Sequence, residues 1–219
     1  MAAHAISPRR HFPAKVVCEI AAMRPMLLAL LFALGCASPA LAQSFAGQLS
    51  AAALERTTHS VVYDGRYQVI AYPMGDVAAD RGVCADEIIR AYRSLGIDLQ
   101  KLVHEDMAKS FASYPQLWGL QQPDPNIDHR RVPNLERFFT RHGQTLAVTQ
   151  DPAQYRPGDL VTWRLGNTLP HIGIVTDLRN ADGTRPLIVH NVGQGPKLED
   201  VLFAFPLFGH YRYEGPFGR

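Results

Sequence analysis

The chain has 219 residues, with 22 basic and 20 acidic side chains and a formal net charge of +2. Residues 1–42 hold Arg9, Arg10, Lys15 and Arg24 against Glu19, so the 177 residues that follow carry 18 basic and 19 acidic groups. A near-neutral remainder without a clustered basic face excludes a nucleic-acid partner, and its length suits one domain with a full core.

The first 42 residues read as an export signal. Leu27–Leu34 has the length of a signal-peptide apolar region and is too short to span a bilayer. Ala40-Leu41-Ala42 before Gln43 is an A-x-A cleavage site, and Met23 offers a start that gives a signal of ordinary size. The expected location is therefore the periplasm, with no stable membrane span after cleavage. The alternative is a lipoprotein anchored through Cys36, which follows Leu34-Gly35.

Residues 43–60 form an Ala-, Ser- and Gln-rich lead-in, and the main domain is expected over 61–215. Tyr67–Tyr72 alternates weakly and predicts a short strand ended by Pro73. From Cys84, apolar residues at Ile88, Ile89, Tyr92 and Leu95 predict a helix that Gly96 stops. Asp98 caps a second helix with a stripe of Leu99, Leu102, Val103, Met107 and Phe111. The stretch 114–133 is broken by four prolines, and a third helix runs from Pro133 to near Gly143.

The pattern then changes to β-branched runs at 160–163, 172–175 and 187–190, with Asp182-Gly183 as a hairpin turn before the last. Further strands are expected at 201–205 and 210–213. Helices first and an antiparallel sheet second predict an α+β fold.

Of three cysteines only Cys84 survives loss of the leader. An unpaired thiol in an oxidising compartment calls for a reason, and nucleophilic chemistry is one. Cys84 stands where the helix begins, so the helix dipole is expected to favour its thiolate. His171, at a strand start after Pro170, is the candidate base. A third polar group should hold the imidazole by its other nitrogen. His190 and Asn191 compete for that role, because a one-residue change of register exchanges them. Cys84, His171 and His190 are also zinc-ligand types, but their spacing matches no common zinc motif, so neither metal nor cofactor is expected. Walker, dinucleotide-binding and G-x-S-x-G motifs are absent.

Pro157-Gly158-Asp159-Leu160-Val161, His171-Ile172-Gly173-Ile174-Val175 and Ile188-Val189-His190 resemble, in order, the papain-like NlpC-type cysteine peptidases of bacterial cell-wall peptides. The stretch from about Val61 to Tyr213 is still more similar to an uncharacterised bacterial family, domain of unknown function 1287. The residues that carry this are Asp80–Cys84, Asn126–Leu135 and His190–Gly193. The resemblance implies a papain-like fold with Cys84 as nucleophile, His171 as base and His190 as orienting residue. The substrate it implies is an amide bond in peptidoglycan stem peptides or a related envelope peptide. Val83-Cys84-Ala85-Asp86 departs from the Asp-Cys-Ser-Gly usual in those peptidases, and the 114–133 loop has no counterpart in them.

Four further residues are candidates for binding substrate. Arg130 and Arg131 suit bidentate recognition of a carboxylate, or else pair with Asp128 to pin the loop. Asp80 lies just before the nucleophile, and Asn191 beside His190. The main-chain N–H of Cys84 is expected to help hold an oxyanion. Two alternatives share the fold: a non-catalytic envelope-binding module with an inert Cys84, and an acyl transferase that uses the same dyad.

Overall fold

The computed structural model describes residues 44–216. The expected signal, its cleavage site and Cys36 lie outside them.

Helix α1 (Phe45–Arg56) begins where the Ser44 side chain accepts the Gly47 N–H. It buries Leu49 and Ala53 completely, bonds Asp177 through Ser50 (2.8 Å) and pairs Arg56 with Glu87 (2.9 Å). The segment expected as a lead-in is thus part of the core. Two short strands, β1 (Val62–Tyr63) and β2 (Arg81–Gly82), pair in parallel.

The strand expected at 67–72 is irregular. Its apolar side chains are mostly exposed, Val69 by 82%, and the Ile70 N–H goes to the Asn126 side chain (3.0 Å) instead of a neighbouring strand.

Three helices follow as the apolar spacing predicts. Helix α2 (Cys84–Ser94) starts after extended Val83, whose N–H is held by the Asp86 carboxylate at 2.6 Å. Gly96, at φ 77°, lets the chain turn out of it. Helix α3 (Leu99–Ser110) is capped by Asp98, which accepts from the Gln100 N–H. Helix α4 (Val132–His142) carries Pro133 in its first turn, where a missing N–H costs nothing.

The sheet comprises β3 (Gln144–Thr145), β4 (Leu160–Leu165), β5 (Leu169–Arg179), β6 (Pro186–His190), β7 (Lys197–Glu199) and β8 (Leu207–Arg212). Its order is β3-β8-β4-β5-β6-β7, and every neighbouring pair is antiparallel. The strand expected at 201–205 is a turn. Its apolar residues cross the sheet and cover it: Leu202 is fully buried and its carbonyl accepts the Trp163 indole N–H at 3.0 Å.

Strand alternation divides the core in two. Leu160, Ile172, Ile174 and Val189 face α1, α2 and α4, where Leu49, Ile88, Tyr92 and Phe139 meet them. Val161, Trp163, Val175 and Ile188 face the other way, under Tyr155 and Leu202. The described chain is therefore an α+β fold with helices on one face of an antiparallel sheet.

Leu49→Ala should lower the unfolding free energy by about 2–5 kcal/mol, the cost of a fully buried leucine. Urea titration of residues 43–219 measures it, and wild-type stability in the variant would mean that α1 is not part of the core.

Candidate functional site

The register of the sheet brings two of the three candidate catalytic residues together. Trp163 lies opposite His171 across β4 and β5, and Gly173 lies opposite His190 across β5 and β6. Residues two apart share a face, so His171 and His190 are diagonal neighbours. Glycine is needed between them. A Cβ on Gly173 would approach Ile188 Cγ2 to 2.7 Å and the His190 Cβ to 3.2 Å.

His171 Nε2 and His190 Nδ1 are 2.9 Å apart, and His190 Nε2 is 2.8 Å from a carboxylate oxygen of Glu199. An ionised Glu199 only accepts, so His190 must donate from Nε2. A neutral His190 then offers Nδ1 as acceptor, and His171 must donate from Nε2. The lone pair of His171 is therefore left on Nδ1, which has no hydrogen-bond partner among the described residues. The tautomer of the candidate base is set two residues away by one carboxylate.

This relay is nearly dry. Both rings are buried, and Trp163 stacks on His171 with centroids 5.6 Å apart. Burial, with the neighbouring His190 adding to it, pushes His171 down to about 3. Burial also lowers His190, against the opposite pull of Glu199. Asn191 loses the competition for the third position. Its Oδ1 accepts the Gly193 N–H (3.1 Å), and its Nδ2 is buried without a hydrogen-bond partner.

Cys84 opens α2 as expected and is 5% exposed. Its sulfur approaches the N–H of Ile172, the residue after His171, and lies against the Tyr63 phenol. The thiol thus meets β5 from the helical side, next to the point where His171 leaves on the other. No hydrogen bond joins sulfur and ring in this structure. The expected lowering by the helix terminus is also overridden. Burial pushes the thiol up to about 11 and nearby Asp86 adds to this, although the N–H groups of Ile172 and Ala85 pull the other way. The resting site holds a neutral thiol and a neutral imidazole.

A cavity of about 610 Å³ opens at Cys84, within the roughly 300–1,000 Å³ of small-ligand sites. Tyr63, Tyr67, Trp118, Arg131 and Pro170 are among its walls. The two arginines divide here. Arg130 is consumed by the fold: its guanidinium holds Asp86 in two bonds (2.8 and 2.9 Å) and also donates to the carbonyls of Asp64 and Arg66. It is not available for a substrate carboxylate. Arg131 spends one bond on Asp128 (3.1 Å) and lies flat over the Trp118 ring at 4.1 Å. Asp80 is exposed and does not line the cavity, so it is not placed to bind substrate there as expected. Among the described residues, no group of three or more His, Cys, Asp or Glu is arranged to hold a metal ion.

The family described as Domain of unknown function (DUF1287) matches residues 50–213, from within α1 to just past β8. The chain belongs to that family. It is also 57% identical, over 154 residues, to "Uncharacterized protein YijF" of Escherichia coli (strain K12); the match covers 70% of this chain and 75% of that one. No solved structure matches the chain.

Two parts of this DUF1287 site escape sequence reasoning. Glu199 lies on β7, whereas the strand expected from the apolar run at 201–205 begins only after β7 has ended. The alternation of Lys197-Leu198-Glu199 after Gly195-Pro196 is the signal that finds it. Tyr63 is far from Cys84 in sequence, and only the β1–β2 pairing brings it to the thiol.

The buried histidines also set a pH dependence. Burial holds His171 and His129 at about 3 in the folded chain, against 6.5 for an ordinary histidine. The unfolded chain takes up these protons first, so stability is complete above 6.5 and declines as pH falls toward 3. Urea midpoints should fall across that window, and His129→Gln, outside the relay, should flatten part of the slope. A variant with the wild-type slope would show that His129 takes its proton normally in the fold.

Proposed function

We propose that this chain is an exported thiol hydrolase of papain-like architecture that cleaves an amide bond in peptidoglycan stem peptides or a related envelope peptide. The observation that carries this reading is the His171–His190–Glu199 relay. It leaves a bare Nδ1 on the residue whose main-chain neighbour the Cys84 sulfur touches. A relay of this kind is what fixes the tautomer and orientation of a general base in thiol and serine hydrolases.

The chemistry follows from the neutral resting pair. With the thiol held up and the imidazole held down, a preformed thiolate is costly, so attack and proton transfer are coupled. The step requires the His171 ring to come within hydrogen-bond reach of the thiol; the Cys84 sulfur then attacks the substrate carbonyl carbon as its proton passes to His171 Nδ1. The N–H of Cys84 at the start of α2 faces the developing oxyanion. Collapse breaks the C–N bond, the amine leaves with the proton from Nδ1, and a thioester remains on Cys84. Water then attacks the thioester and gives a proton to Nδ1. The acid departs, and that proton restores the thiol.

One observation favours a second reading. A thiol pushed up to about 11, with no hydrogen bond to the imidazole, suits a peptide-binding module in which Cys84 is inert. The two readings differ in turnover. Purified mature chain incubated with isolated peptidoglycan should release new amine termini detectable by mass spectrometry. Cys84→Ala and His171→Ala should abolish release while remaining folded. Glu199→Ala, which removes the acceptor, should slow it by about tenfold or more, the order of loss on removing an outer hydrogen-bond partner. Undiminished release by Cys84→Ala would overturn the mechanism. Binding without release by the wild type would establish the module.

A further inference from the structure

The cavity at Cys84 has a cation that the fold does not use up. A guanidinium carries five N–H donors. In Arg131 one side-chain bond goes to Asp128, and the others find no acceptor among the described residues. Asp128 is itself shared, since its second oxygen takes the Asp124 N–H at 2.6 Å. The walls of the cavity include Arg130 and Arg131 and no aspartate or glutamate. Both arginines face a carboxylate, but Arg130 gives four bonds to the fold and Arg131 only one, so Arg131 is the cation with donors left for a ligand. Its planar group is also held in place. Asp128 fixes one edge, and Trp118 supports the face at 4.1 Å. A pre-oriented fork with free donors, in an acid-free and aromatic-walled cavity, matches a planar anion.

We infer that Arg131 seats a carboxylate of the ligand, and that the cavity takes anionic peptides or acyl compounds with a free carboxylate beside the group presented to Cys84. The inference rests on the proposed hydrolase for the identity of the bond at Cys84, but the anion seat itself needs no catalysis. Trp118 and Tyr67, the latter held by Asn126 at 3.0 Å, supply flat apolar walls for the carbon skeleton between the two ends.

Glutarate and its uncharged diamide, glutaramide, are suitable probes. The Trp118 indole resonance of the mature chain is followed by NMR as each is added. Glutarate should give a saturable shift and glutaramide none. The response should persist in Cys84→Ala, which separates the anion seat from the hydrolase reading. Arg131→Gln should weaken glutarate binding at least about tenfold, the loss of a charge-assisted bond. Arg131→Lys, which keeps the charge and protects against a folding artefact, should fall between the two. Equal responses to glutarate and glutaramide, no saturable shift with glutarate, or wild-type binding in Arg131→Gln would each overturn the assignment.

Discussion

One guanidinium, that of Arg130, joins the pieces of chain that surround Cys84. It comes from the turn before α4, grips Asp86 in the first turn of α2, and reaches the carbonyls of Asp64 and Arg66 beyond β1. Asp86 in turn holds the Val83 N–H, so the entry to α2 is fixed by the same pair. Both side chains are 2% exposed. Loss of either partner strands the other's charge in a dry interior, a cost of about 3–5 kcal/mol. The thiol, the Tyr63 wall and the loop that carries Arg131 keep their relation because of this contact. The same Asp86 carboxylate also helps keep the Cys84 thiol protonated.

The second organising element is the polar line across β5, β6 and β7. A carboxylate at 41% side-chain exposure orients a histidine at 1%, which orients His171. Water meets the relay at the Glu199 end, and Trp163 shields the middle. Such a line fixes which nitrogen is basic without placing a charge next to it. The neutral pair at rest and the bare Nδ1 are thus two consequences of one arrangement: burial removes charge, and the relay directs the lone pair.

Much of this was legible in residue order. The three helices that follow β2 were visible because their apolar spacing, caps and stop residues agree. The three central strands were visible because runs of β-branched residues flank a turn at Asp182-Gly183. The irregular 67–72 segment was not, because its alternation is weak and its backbone bonds to side chains distant in sequence, the Ile70 N–H to Asn126 and the Ala71 carbonyl to Gln100. Residues 201–205 misled because a segment that covers a sheet is as apolar as a strand within it. His190 and Asn191 could not be ranked without register, which Gly173 opposite His190 supplies. Arg130 and Arg131, adjacent in sequence, diverge because one faces Asp86 and the other Trp118, and no local pattern records that.

The central claim is that Glu199 fixes His190, and through it His171, so that the lone pair of His171 lies on Nδ1. Nitrogen NMR of the imidazole rings in the folded mature chain at neutral pH tests this most directly. The account predicts that both histidines are neutral, with the proton on Nε2 and a bare Nδ1 in His171, and that Glu199→Ala, which removes the acceptor, disturbs this pattern. A His171 protonated on Nδ1, or charged on both nitrogens at neutral pH, would contradict it.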